Sequence, residues 1–460
     1  MAEKSPLLQK IPSVHEILKH QKLKSLLLDY NRSFVVDVVN DVLENIRKDI
    51  ASSQNRRVDL STGYISSKVC ETIDKIMKPS LVRVINATGV ILHTGLGRAI
   101  LDENALESLK EIGGNYCNLE IDAESGKRGR RETHLRNLIC TLSNGEDAFV
   151  VNNNAAGVML SLNTLALDRE VIVARGELVE IGGSFRMPEI MKKSGCKLVE
   201  VGTTNRVTVD DYRRAAGENT ALLLKVHTSN YRIVGFSKDV SLKELVKLGD
   251  DLNLPVMYDV GSGALLPEIK KEPLIGESVA TGVSIISFSA DKLLGGPQGG
   301  IIIGKKHYIE EMRKNPFARA VRIGKLTIAA LESTLKGYLT RERLNPTLQM
   351  LSRPLDDIHN DAVHLAKHLK DTLKGSFEVE VIDGYSKSGG GALPLEELPT
   401  KLVAIKPIKG FVEKLAKSLR LSAPSVIGRI ANNRLLLDLR TVKKDEIEEI
   451  VETFKKIAKS

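Results

Sequence analysis

Seven short apolar runs, at 147–152, 170–174, 197–201, 221–227, 254–259, 283–288 and 300–303, alternate with helix-patterned stretches through the middle of the chain. No other feature narrows the fold as much. Strands separated by helices build a mostly parallel sheet with helices over both faces. Such α/β sheets bind their ligands beyond the carboxyl ends of the strands. Chemistry is therefore expected in the residues just past each run.

Three of those positions form a set. After the 283–288 run comes Ser287-Phe-Ser-Ala-Asp-Lys292-Leu-Leu-Gly-Gly-Pro-Gln-Gly-Gly300. A lysine on a strand end projects its amine into a cleft from a rigid base. The glycines and Pro297 then turn the backbone tightly beside it. An enzyme that holds pyridoxal 5'-phosphate as a Schiff base needs such a lysine. Leu254-Pro-Val-Met-Tyr-Asp259-Val-Gly-Ser-Gly263 ends a second buried strand on a carboxylate. Pyridoxal phosphate needs an acid against its pyridine nitrogen, because the protonated ring drains electrons from a carbanion. Ala148-Phe-Val-Val-Asn152-Asn-Asn-Ala-Ala-Gly157 joins a third strand to an apolar helix. Small residues at a helix start leave free N–H groups and a positive dipole end for a phosphate. Taken singly, Lys292 reads equally as a surface lysine, Asp259 as a turn or N-cap residue, and the asparagines as an N-cap. The order phosphate loop, aspartate, lysine makes the set specific.

Three parts are expected. Residues 1–75 read as a helical domain, with a capping-box pattern at Ser13-Val-His-Glu16 and an amphipathic stretch from Phe34 to Ile50. Ser52 to Arg57 reads as a linker. Residues 76–338 form the large α/β domain, and 339–460 a small α+β domain. The latter has helical runs at 356–374, 410–420 and 443–458, strands at 377–382, 401–405 and 434–439, and a loop at Ser388–Pro394. Cys70, Cys117, Cys140 and Cys196 are scattered without a CxxC pair, which points to a reducing cytoplasm rather than a disulfide framework or zinc site. No run is long enough for a membrane span, and the start lacks a signal-peptide core. A net charge of +9 is compatible with a polyanionic partner. Arg98, Arg319, Arg322 and the cluster Lys127-Arg-Gly-Arg-Arg131 suit oxyanions, although a surface role is the commoner one for any single arginine.

Longer motifs carry a family resemblance. They include Ile11-Pro-Ser-Val-His-Glu-Ile-Leu, Val84-Ile-Asn-Ala-Thr-Gly-Val90, Val151-Asn-Asn-Asn-Ala155, Arg175-Gly-Glu-Leu-Val-Glu-Ile-Gly-Gly-Ser-Phe-Arg186, Val201-Gly-Thr-Thr-Asn-Arg206, Lys225-Val-His-Thr-Ser-Asn-Tyr-Arg-Ile-Val-Gly-Phe236, Asp291-Lys-Leu-Leu-Gly-Gly-Pro-Gln298 and Gly389-Gly-Gly. The chain resembles the bacterial selenocysteine synthases over nearly its whole length. The resemblance implies a fold type I, aspartate-aminotransferase-like enzyme that uses pyridoxal phosphate. It implies that residues 1–75 bind tRNA and that dimers assemble into a ring, a decamer being the expected form. By the same resemblance Lys292 is the Schiff-base lysine, Asp259 the ring-nitrogen partner and Asn153, Asn154 and Ala155 the phosphate loop. Arg98, Arg319 and Arg322 hold the selenium donor, and Asp291 matters for activity. Gly95 and Gly324 depart from the family's usual asparagine and aspartate near those arginines.

The reaction so implied converts L-seryl-tRNA(Sec) to L-selenocysteinyl-tRNA(Sec) with selenophosphate, by β-elimination to aminoacrylyl-tRNA and addition of selenium. The main alternative is a lyase of the same superfamily acting on a small amino acid or amino sugar phosphate. Such relatives generally lack an N-terminal helical domain. A catalytically silent tRNA-binding scaffold is the other, and the intact lysine, aspartate and asparagine loop speak against it. His134 and His227 are both candidates to stack on the cofactor ring.

Overall fold

The computed structural model describes residues 7–52, 59–181, 185–267, 269, 272–340, 345–373, 375–390 and 396–459. The expected linker at 53–57 and the glycine-rich loop at 391–394 lie outside the described residues. Two compact units result, Met1–Arg83 and Val84–Ser460.

The first unit is helical: Val14–Leu18, Gln21–Asp29, Arg32–Ser52 and Thr62–Met77. The capping box forms as expected. Ser13 Oγ accepts from the Glu16 N–H at 3.3 Å, and Glu16 Oε2 accepts from the Ser13 N–H at 2.8 Å. Val35, Val38, Val39, Val42 and Ile46 recur at helical spacing and are buried against Ile17, Leu23, Ile65, Val69 and Ile73. Each such side chain contributes about 1.5–3 kcal/mol by leaving water, so the face rather than helix propensity holds this unit together.

The second unit begins with strands β1 (Val84–Asn86) and β2 (Val90–Leu92). Then come β3 (Asp147–Val151), β4 (Glu170–Ala174), a small ribbon of β5 (Glu180–Ile181) and β6 (Phe185–Arg186), β7 (Lys197–Val201) and β8 (Thr220–Val226). β9 (Val256–Gly261), β10 (Ile285–Ser289) and β11 (Gly300–Gly304) follow. The main sheet has the order β3-β11-β10-β9-β8-β4-β7. Only β11 runs antiparallel to its neighbours. Alternate residues feed two separate cores. Val150, Ile172, Leu223, Tyr258, Ile286 and Ile303 face one side; Phe149, Val171, Leu222, Met257, Ile285 and Ile302 face the other. Both faces being dry is why these strands read as continuous apolar runs rather than alternating ones.

With β14 (Ser425–Ile427) standing apart, a second sheet uses β12 (Phe377–Gly389), β13 (Glu397–Pro407), β15 (Arg429–Ala431) and β16 (Arg434–Asp438). Its order is β15-β16-β13-β12-β2, while β1 pairs with β14. Strand β12 outruns the expected 377–382, because β13 pairs with it as far as Lys387–Glu397 and β2 continues it at Gly389. Residues 84–92 thus pair with strands from the other end of the chain. The join is tight. Gly89 has φ 71°, and a Cβ there would lie 1.9 Å from Asp438 Oδ2. Helices Leu355–Thr372, Val412–Arg420 and Lys444–Lys459 cover this layer close to where the sequence puts them.

Candidate active site

Register decides which strand ends meet. Gly300 of β11 pairs with Val151 of β3 on one side and Ser289 of β10 on the other, and Ser287 of β10 pairs with Asp259 of β9. The carboxyl ends of β3, β9 and β10 therefore share one edge. Helix Asn154–Ala166 starts there, with Asn153 as its N-cap, and Asn153 Oδ1 accepts from the Ala156 N–H at 2.9 Å. Its first-turn N–H groups and positive dipole end lie at the strand edge. Gly300 permits the approach of strand and helix: a Cβ on it would stand 2.2 Å from the Asn153 carbonyl oxygen.

Lys292 lies three residues past β10 in a clamped turn. The Ala290 N–H donates to Gly299 O at 2.8 Å, the Gly296 N–H to Ala290 O at 2.9 Å, and the Leu293 N–H to Ser262 O at 3.2 Å. The last bond ties the lysine turn to the loop after β9. Lys292 is only 4% exposed, and burial pulls its amine below the ordinary lysine range. The Lys292 Nζ comes within 3.8 Å of where a Cβ on Gly261 would be, which puts the amine over the end of β9.

Asp259 is also 4% exposed. Its Oδ1 accepts from Asn154 Nδ2 at 2.8 Å and from Ser287 Oγ at 3.1 Å. Burial nonetheless pushes the carboxyl up, and the two hydrogen bonds, Lys292 and His227 pull the other way. A buried acid in this condition gains most from one more positive charge beside it. The Asn154 side-chain oxygen is buried without a hydrogen-bond partner.

Arg98 reaches the lysine turn from a distant part of the sequence. Residues Thr94–Leu96 make a short 3-10 turn, Gly97 has φ 96° and Arg98 φ 62°. Successive left-handed residues swing Arg98 onto Asp291, with Nη1 2.8 Å from Oδ2. The Arg98 Nε is buried and has no hydrogen-bond partner. Arg319 and Arg322 lie at the neighbouring strand end, where the Asn152 N–H donates to Val321 O at 2.9 Å and Arg322 bridges Val151. Both are exposed, and Arg322 stands 3.8 Å from Glu120. Among the described residues no hydrogen bond or ion pair joins Arg98 to either.

Other contacts in this set were not anticipated from the sequence. Ser287 sits inside a strand that looks purely structural. The Asn154 amide turns toward Asp259 as well as opening the helix. His227 follows β8, its N–H donates to Asp259 O at 2.8 Å, and its Nε2 is 3.4 Å from Oε2 of the buried Glu272. Lys270-Lys271-Glu272 reads as solvated charge in sequence, so no pattern marks Glu272. Of the two histidines singled out, His227 joins the Asp259 group, whereas His134 Nε2 lies against Leu119 O at 3.2 Å.

The residues fit pyridoxal phosphate. A buried amine stands over a buried acid in want of a cation, a helix N-terminus opens at the same edge, and unpartnered polar atoms of Asn154 and Arg98 remain. Among the described residues no helix is long and apolar enough to cross a membrane.

Residues 84–443 match the family described as L-seryl-tRNA selenium transferase, and residues 8–47 the one described as selenocysteine synthase N terminal. The chain is 46% identical to the L-seryl-tRNA(Sec) selenium transferase of Carboxydothermus hydrogenoformans, over 96% of each chain. It is 43% identical to that of Alkaliphilus oremlandii, over 99% of each. Among solved structures it resembles a D-glucosaminate-6-phosphate ammonia-lyase in fold, with a TM-score of 0.58, 19% identity, and 83% of this chain and 99% of the other covered.

Proposed function

This chain belongs to the L-seryl-tRNA(Sec) selenium transferase family, and from that premise we propose the reaction and the residues that perform it. The enzyme converts L-seryl-tRNA(Sec) to L-selenocysteinyl-tRNA(Sec), replacing the serine hydroxyl with selenium from selenophosphate. Pyridoxal 5'-phosphate, when bound, supplies the electron sink that acidifies the seryl Cα proton and lets the β-hydroxyl depart.

Lys292 would hold the cofactor covalently in the resting enzyme. Its amine, kept below the usual lysine range by burial, takes the Cα proton. The ammonium so formed can protonate the departing hydroxyl. Asp259 would face the ring nitrogen and keep it protonated. Asn154 and Ser287 fix the carboxylate through one oxygen and leave the other for that contact. Asn153, Asn154 and Ala155 present the helix N-terminus to the phosphate group. Asp291 orients Arg98, whose buried and unpartnered Nε suits an oxyanion of the selenium donor. Arg319 and Arg322 complete the donor site. Because both are exposed, they are available to a site shared with a second copy, in keeping with an assembly of dimers into a decamer. Residues 1–75 bind the tRNA, and the net charge of +9 favours that polyanion.

The observation that carries this reading is the meeting of Asp259, Lys292 and the Asn154 helix start at one strand edge. The test is a single-turnover assay with seryl-tRNA(Sec) and selenophosphate, comparing wild type with Lys292→Ala. Selenocysteinyl-tRNA is expected from the wild type alone. A cofactor-loaded wild type that yields none would overturn the assignment.

A further inference from the structure

Helices Leu355–Thr372 and Lys444–Lys459 lie side by side, with Ile358, Ala362, Leu365 and Leu369 of one packed in the same core as Ile447, Ile450, Val451 and Phe454 of the other. At the rim of that contact stand three metal-ligating side chains far from the strand-end site in sequence. His364 and His368 are four residues apart on one helix, hence on one face. Glu448 comes from the other helix. One ligand atom from each of the three lies within 4.8 Å of the others. His364 Nε2 is 3.3 Å from Glu448 Oε1, and the two imidazole centroids are 4.5 Å apart at 65°.

We propose that His364, His368 and Glu448 form a divalent transition-metal site that ties these two helices together. Zinc bonds of about 2.0–2.2 Å in a tetrahedral arrangement set ligand atoms roughly 3.3 Å apart. His364 and Glu448 already have that separation, and side chains at a solvent-facing rim can close the remaining gap. The helices beneath them are fixed by fully buried residues such as Leu365 and Phe454, so the ligands stand on rigid supports. Two imidazoles and a carboxylate favour zinc, cobalt, nickel or copper over calcium or magnesium, which prefer all-oxygen shells. Three protein ligands leave a fourth position for water. Glu452 follows Glu448 by one turn on the same face, where its carboxylate pairs with Lys455 at 2.6 Å. The site is separate from the elimination chemistry: its role is to link two helices that the sequence places far apart.

The test uses the full-length, cofactor-loaded enzyme and zinc chloride as the probe, followed by calorimetry and by thermal unfolding. Wild type is expected to bind one zinc ion per chain at this site and to unfold at higher temperature with zinc than without. His364→Ala, His368→Ala and Glu448→Gln should each weaken that binding at least roughly tenfold, since losing even an outer partner of a ligand costs about 10–100-fold. Each should also abolish the zinc-dependent rise in unfolding temperature. Cobalt in place of zinc should give visible d–d bands in the wild type and not in the variants. Absence of zinc binding to the wild type, or unchanged binding by all three variants, overturns the proposal.

Discussion

Lys292 and Asp259 are both buried, and their burial moves both groups toward the neutral form. The two shifts have different consequences. For Lys292, the proposed base, the lowered amine is useful, because a base must be free of its proton. The rate of product formation should therefore rise with pH through a value below the ordinary lysine range and then level off. A single-turnover pH profile checks this, and a rise only above that range would exclude Lys292 as the base. For Asp259 the raised carboxyl is a cost that, in the proposed site, a cationic ring nitrogen would remove. Asp259→Asn preserves shape but not charge, so single-turnover rates should fall roughly 10²–10³-fold, with the cofactor's absorption retained at saturating concentration. Both positions are legible in the sequence, as residues just past apolar runs. The Arg98–Asp291 pair is less so, because residues 193 apart meet only through a turn in left-handed conformation. Gly89 makes the same point within the scaffold. Gly89→Ala should destabilise the protein by about 1–3 kcal/mol or more through overpacking against Asp438, as read by denaturant unfolding.

Strand β8 carries a buried charge that the apolar pattern around it conceals. Lys225 Nζ donates to Glu177 Oε1 at 2.8 Å, to Asp239 Oδ2 at 3.1 Å and to Val240 O at 2.7 Å. Burial pulls the Lys225 ammonium down, and its two acids more than offset that. Burial pushes the Glu177 carboxyl up to about 6 despite Lys225. Glu177 also accepts from the Val226 N–H at 2.8 Å, so the network pins the turn Arg175–Glu177 beneath the end of β8. Lys225→Met leaves that carboxylate buried and unpaired, and should cost about 3–5 kcal/mol of stability at neutral pH. A raised carboxyl favours the folded state below its unfolded value, and that contribution is lost as pH rises through the folded value. Without Lys225 the Glu177 value rises further. The deficit of Lys225→Met should thus be largest near pH 8 and shrink toward pH 5. Urea unfolding at both values decides it, and a deficit independent of pH would assign the loss to packing alone. The sequence offers Arg175-Gly-Glu177 and Lys225-Val-His as family motifs, but only the fold brings Glu177 and Lys225 together. The strands themselves were legible because burial on both faces makes them continuous apolar runs. The full extent of β12 was not, since Asp383 and Gly384 interrupt its pattern and pairing with β13 carries it through.

Across the whole molecule, the helical unit Met1–Arg83 has its own apolar core, as the proposed tRNA-binding part requires. A chain of residues 84–460 should keep the cofactor's absorption but bind tRNA(Sec) more weakly than the full chain. Filter binding or calorimetry reads the difference, and unchanged affinity would remove the tRNA role from the N-terminal unit. Full-length binding should also weaken as salt rises, with log affinity linear in log salt, because counterions leave the tRNA when the basic protein binds.

By itself the sequence determined the class of the main sheet, the capping box at Ser13 and the chemistry available past three strands. These depend on local periodicity and on residue type at strand ends, which neighbours along the chain specify. The tertiary structure alone decided which ends face one another, that Asn154 and Ser287 hold Asp259, that Arg98 pairs with Asp291, and that Val90–Leu92 complete a sheet begun near residue 377. Those contacts join segments remote in sequence, and sheet register and the crossing of the chain bring them within hydrogen-bond range. No local pattern carries that information.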